Sequence, residues 1–122
     1  MAKILVVEDE ANQRLLYRRE LEDEGYEVIE ADGGRKALEI LESGQRPDLV
    51  ILDISMPDMD GIETLSKILA RDNSIPVILN TAYSTYKDNF MTWSADAYIV
   101  KSSDLDELKS TIKRLLQERS GS

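Results

Sequence analysis

Four short stretches put groups capable of polar chemistry directly after apolar runs. Glu8 and Asp9 follow KILVV, Asp53 follows DLVIL, Thr81 follows PVILN after its Asn80, and Lys101 follows AYIV. Ending a buried strand on a carboxylate costs desolvation unless something compensates it. Three acids gathered at one edge repel one another unless a cation or a proton neutralises them. A hard Mg2+ suits such a place, because it takes one or two carboxylates, keeps waters and leaves room for phosphate oxygens. The chain has neither histidine nor cysteine. That removes the commonest general base and metal ligand, so the available chemistry belongs to carboxylates, hydroxyls and lysine.

These groups meet only if the runs that carry them lie side by side. KILVV (3–7), EVIE (27–30), DLVIL (48–52), PVILN (76–80) and AYIV (97–100) are candidate strands, and three of them are unbroken apolar runs, as in parallel strands covered on both faces. Helical spacing lies between and after them, clearest in Ile62, Leu65, Ile68, Leu69 and in Leu105, Leu108, Ile112, Leu115, Leu116, weaker in Ala37, Ile40, Leu41. Gly25, Gly44 and Pro47 close the first two helical segments, and Asp104 with Glu107 makes a capping-box-like start for the last. Five strand-then-helix units with right-handed crossovers predict an α/β fold, a flavodoxin-like doubly wound (βα)5 sandwich with a five-stranded parallel sheet ordered 2-1-3-4-5, since a barrel would need eight. In such a sheet, ligands sit outside the carboxyl ends of the strands near the point where strand order reverses. Glu8, Asp9, Asp53, Thr81 and Lys101 occupy those ends, while Ala31 and Asp32 lie off to one side.

With 122 residues, 42% hydrophobic and 32% charged, the chain is long enough for one domain with a substantial core. We assign residues 1–119 to that domain and 120–122 to a polar tail, with the RSGS ending expected to fray. The 15 Lys and Arg against 24 Asp and Glu give a net charge of −9, which repels nucleic acid and anionic membrane and suits a cation or a basic protein partner. There is no apolar run of membrane-spanning length and no signal-like start, so a cytoplasmic location is expected.

Taken together, Glu8-Asp9, DISMPDMDG around Asp53, TAY at Thr81 to Tyr83 and the aromatic-x-x-Lys of Tyr98 to Lys101 resemble a response-regulator receiver domain of two-component signalling. The likeness spans essentially the whole chain, and the order and strand-end placement of the motifs make the combination specific. It implies that Asp53 accepts a phosphoryl group from a phosphohistidine on a sensor histidine kinase or phosphotransfer protein. It implies a Mg2+ held directly by Asp9 and Asp53, by Glu8 through water, and by the backbone carbonyl of Ser55. Lys101 would neutralise phosphoryl oxygens, and Thr81 would hydrogen-bond one and draw its loop inward. Tyr98 would follow by turning from an exposed to a buried rotamer, reshaping a surface read by a downstream effector or target protein. Such a chain is a switch that catalyses its own phosphorylation and slow dephosphorylation, and is not an enzyme acting on a separate substrate. The positions two after the acceptor and two after the threonine, Ser55 and Tyr83, would tune hydrolysis by how well they orient a water.

Rival readings fit less well. A receiver-like scaffold working without phosphorylation would dispense with the acids or with Lys101, and all are present. A haloacid-dehalogenase-like phosphatase needs a second Asp two residues after its nucleophile, where Ser55 stands. A flavin mononucleotide site is opposed by the acidic loop EDEANQ, which would repel phosphate. Asp58 and Asp60 are read as turn and cap residues, and Phe90, Met91 and Trp93 as core, rim or partner surface. Receivers commonly carry proline after the lysine, with a cis bond, but Ser102 follows Lys101 here. A non-proline cis bond costs about 2.5–4 kcal/mol, so a trans bond and a different loop path, with Lys101 still reaching the site, are expected. The segment between Thr81 and Lys101 also looks short, which predicts a short, irregular or shifted fourth helix.

Overall fold

The unbroken apolar runs are unbroken because both faces of their strands are covered. Every residue of β3 (Leu49–Leu52) and β4 (Val77–Thr81) is buried, as is all of β1 (Lys3–Val7) after Lys3. These three strands form the middle of a parallel sheet flanked by β2 (Glu27–Ala31) and β5 (Ala97–Val100), in the order β2-β1-β3-β4-β5. The computed structural model that shows this describes residues 1–54, 61–82, 94–102 and 104–120, without the side chains of 119 and 120.

Four helices lie among the described residues: α1 (Ala11–Asp23), α2 (Gly34–Glu42), α3 (Gly61–Arg71) and α4 (Asp106–Ser120). One face of the sheet packs Ile4, Val6, Leu49, Ile51 and Ile78 with Tyr17 and Leu21 of α1 and Leu108, Ile112 and Leu115 of α4. The opposite face packs Leu5, Val7, Val50, Leu52, Val77 and Leu79 with Ala37, Ile40 and Leu41 of α2 and Leu65 and Ile68 of α3. Strand alternation thus sends successive side chains into two separate cores. The expected fourth helix falls on residues 83–93, outside the described residues.

Helix boundaries follow local chemistry. Glu10 starts α1 by accepting hydrogen bonds from the Asn12 and Gln13 amides. Gly25 and Gly44, with φ of 93° and 95°, end α1 and α2 in the left-handed region that glycine enters without a Cβ penalty. The Asp104 carboxylate accepts from the Asp106 amide at the start of α4. The differences from expectation are small. β3 begins at Leu49 rather than 48, where the Asp48 amide instead bonds the Lys3 carbonyl and its carboxylate bonds the Lys3 amide. β4 is shifted by one residue to 77–81, because Pro76 has no N–H for the ladder. α4 continues through residues 119 and 120, so the RSGS stretch is helical at its start.

Candidate functional site at the carboxyl edge of the sheet

Strand register builds the site. Ala31, Val7, Leu52, Leu79 and Tyr98 form one row across all five strands. Glu8 and Asp53 follow immediately on adjacent strands, so the sequence positions that looked separate become neighbours. Backbone bonds extend the ladder past the strand ends: Glu8 N–H to the Ala31 carbonyl at 3.0 Å, Asp53 N–H to Val7 at 3.1 Å, and Lys101 N–H to Thr81 at 2.7 Å.

Glu8, Asp9 and Asp53 each offer a carboxylate oxygen within 4.8 Å of the others'. Oxygens on a common octahedral Mg2+ lie roughly 3 to 4 Å apart, so a modest side-chain adjustment brings this all-oxygen donor set onto one hard cation. The residues present therefore fit the ion that the sequence implies. Lys101 reaches the same place. Its Nζ lies 2.5 Å from Glu8 Oε1 and 3.1 Å from Asp53 Oδ2. No peptide bond among the described residues is cis, so Lys101 reaches the acids from a trans Lys101–Ser102 bond.

The Glu8 and Asp53 side chains are only 2% and 6% exposed, and that of Lys101 is 19% exposed. Burial pushes the Glu8 carboxyl above its usual range, with the Asp53 charge adding to the rise, although the Lys101 bond and the Glu10 amide pull it down. Burial would lower the Lys101 ammonium, but its bonds and charge attraction to Glu8 and Asp53 outweigh that and raise it. Glu8 is more deeply buried than Lys101, so desolvation weighs most on its charged form.

Thr81 is fully buried at the end of β4, and Tyr98 of β5 is half-buried against the core beside α2 and α3. Ser55 and Tyr83, with Asp58, Asp60, Phe90, Met91 and Trp93, lie outside the described residues. Three features escaped the sequence reading. Arg14 of α1 donates to the Glu8 carbonyl at 2.8 Å. Asn80, 3% exposed, donates to the Tyr17 hydroxyl at 2.9 Å beneath the site, and burial raises that hydroxyl's pKa. An amide inside the apolar run PVILN was the only signal of this pair. A Cβ on Gly61 would lie 2.0 Å from the Ile54 Cα, so glycine is needed there for close backbone approach.

The chain is similar to known proteins along nearly its whole length. The response regulator receiver domain profile matches residues 4–113. Sporulation initiation phosphotransferase F of Bacillus subtilis (strain 168) is 37% identical over 97% of this chain and 96% of its own length. Regulatory protein AtoC of Escherichia coli (strain K12) is 38% identical, but the chain spans only 26% of it. Among solved structures, response regulator TrrA of Thermotoga maritima, in complex with Mg2+-BeF, superposes with a TM-score of 0.90 at 46% identity, covering 94% of this chain and 99% of that one. A complex of histidine kinase ThkA with TrrA matches with a TM-score of 0.88 at 46% identity, covering 95% of this chain and 99% of that one.

Proposed function

The chain belongs to the response regulator receiver domain family, and from that premise we propose that Asp53 takes a phosphoryl group from the phosphohistidine of a sensor histidine kinase or phosphotransfer protein, switching a surface read by a downstream effector or target. The observation that carries this reading is the convergence of Glu8, Asp9, Asp53 and Lys101 on one edge of the sheet. The TrrA structures, one with Mg2+-BeF and one with a histidine kinase, support the same chemistry by likeness.

Asp9 and Asp53 would hold Mg2+ directly, Glu8 through water, and the Ser55 backbone carbonyl would complete the protein ligands. When bound, Mg2+ would offset the charge of the acids and of the phosphoryl oxygens. An Asp53 carboxylate oxygen attacks phosphorus in line as the P–N bond breaks, and the imidazole leaves with the electron pair. Lys101 exchanges its Glu8 contact for a phosphoryl oxygen. The Thr81 hydroxyl binds another, and Tyr98 turns further into its half-buried site, which couples the covalent step to surface shape. We assign residues 1–119 to the receiver unit, with α4 itself running on through Ser120. The net charge of −9 argues against direct nucleic-acid contact, and no described helix is long and apolar enough to cross a membrane. We place the protein's action in the cytoplasm, as a switch rather than a turnover enzyme.

Isothermal titration tests the metal. Wild type is expected to bind Mg2+ weakly, Asp9→Ala to lose binding and Glu8→Gln to weaken it, because both changes remove negative charge and ligand oxygens. Unchanged affinity in both variants would put the metal elsewhere.

Signal lifetime is a second expectation. Ser55 is short and weakly basic, and Tyr83 is bulky and protonated at neutral pH, so neither positions a hydrolytic water well. Self-dephosphorylation should therefore be slow, and Ser55→Asn with Tyr83→Glu should accelerate it. Equal rates in wild type and the double variant would remove these side chains from control of the water.

A further inference from the structure

The peptide joining Glu8 to Asp9 decides whether two neighbouring acids can point at one cation, and it is held from an unexpected side. The Glu8 amide is fixed by Ala31, and the Glu8 carboxylate accepts from the Glu10 amide at 3.1 Å as well as from Lys101. The Glu8 carbonyl, which belongs to the Glu8–Asp9 peptide itself, accepts from Arg14 Nη1 at 2.8 Å. Arg14 is itself anchored. Its Nε lies 3.3 Å from Glu30 Oε1 on the edge strand β2, and the other Glu30 oxygen is bound by Arg18 Nη1 at 2.6 Å. The Arg14 and Glu30 side chains are 20% and 29% exposed, enough burial for the geometry to be defined.

We propose that Arg14 is a positioning residue for the cation site: by holding the Glu8–Asp9 peptide plane against α1, it sets the direction in which Asp9 leaves the chain, so that its carboxylate converges with those of Glu8 and Asp53. The proposal rests on the metal-site reading above and adds a residue that does not touch the metal. A helix side chain reaching a loop carbonyl is the kind of outer contact that orients ligands, and its loss typically weakens metal binding by about 10- to 100-fold.

Charge and positioning predict opposite signs. Arg14 is a cation near a cation site, so removing it should tighten Mg2+ binding if only electrostatics matter. If Arg14 positions Asp9, removing it should weaken binding.

The test is Mg2+ titration calorimetry on Arg14→Ala, Arg14→Lys, Arg18→Ala and Asp9→Asn, with metal-free thermal unfolding of each. Arg14→Ala is expected to weaken Mg2+ binding about tenfold. Arg14→Lys, which keeps a donor of similar reach, should recover most of the loss. Arg18→Ala removes only its own bond to Glu30 Oε2 and leaves the Arg14 contacts with Glu30 Oε1 and the Glu8 carbonyl, so it should bind Mg2+ like wild type. Arg14→Met, which keeps the apolar stem, carries the same expectation should the alanine variant fail to fold. Unchanged or tighter binding in Arg14→Ala, with Asp9→Asn still losing the ion, overturns the proposal and leaves the metal site standing. Equal losses in Arg14→Ala and Arg18→Ala also overturn it, because they would assign the effect to anchoring of α1. Full retention of Mg2+ by Asp9→Asn would instead overturn the metal-site reading on which the proposal depends.

Discussion

Lys101→Met should destabilise the metal-free protein by about 3 kcal/mol, because it leaves the buried carboxylates of Glu8 and Asp53 without their ammonium partner. For a domain of this size that corresponds to a fall in Tm of about 10 °C. The same variant should bind Mg2+ more tightly than wild type, since the competing intramolecular cation is gone, and saturating Mg2+ should restore much of the lost stability. The pH dependence has a definite sign. The raised Lys101 pKa means that its stabilisation is present below its ordinary 10.5 and is lost as pH rises through the folded value. The raised Glu8 pKa means that the cost of its buried charge disappears as pH falls through the folded value toward 4.5. The deficit of Lys101→Met should therefore be large at neutral pH and shrink in acid. Thermal unfolding that is unchanged at pH 7, together with unchanged Mg2+ affinity, would contradict the pairing.

Gly61→Ala is expected to cost about 3 kcal/mol or more, and to lower Tm by about 10 °C, because its Cβ would lie 2.0 Å from a backbone atom of Ile54 and neither chain segment can yield as a flexible side chain could. Ile54 directly follows Asp53 and is itself only 2% exposed, so relieving the clash must also displace the acceptor. Phosphorylation should fall together with stability. A Gly61→Ala protein with a Tm within about 2 °C of wild type would show that the segment around Asp53 tolerates the wider spacing.

Much of this architecture is legible from residue order because parallel strands buried on both faces leave a strong mark. DLVIL and PVILN read as strands to within one residue of the observed β3 and β4, and the helices with one clean apolar stripe, α3 and α4, were apparent from spacing alone. α1 was less distinct. It buries Tyr17 and Leu21 but turns Leu15 and Leu16 outward, so its apolar residues do not form one stripe. The acids and Lys101 were readable because a charge after an apolar run needs a partner, and strand register supplies one. The Arg14 bond, the Tyr17–Asn80 pair and the Gly61 approach were not readable. Each joins elements through tertiary geometry, such as the 63-residue separation of Tyr17 and Asn80, and none leaves a periodic signal.

Asp53 as the acceptor is the claim from which the rest follows. Incubation with Mg2+ and acetyl phosphate, followed by mass analysis of the proteolytic peptides, locates the added phosphoryl group directly. A single Mg2+-dependent modification is expected on the peptide containing Asp53, absent from Asp53→Ala. Labelling that persists in Asp53→Ala, or that forms on Asp53 as readily without Mg2+, would contradict it.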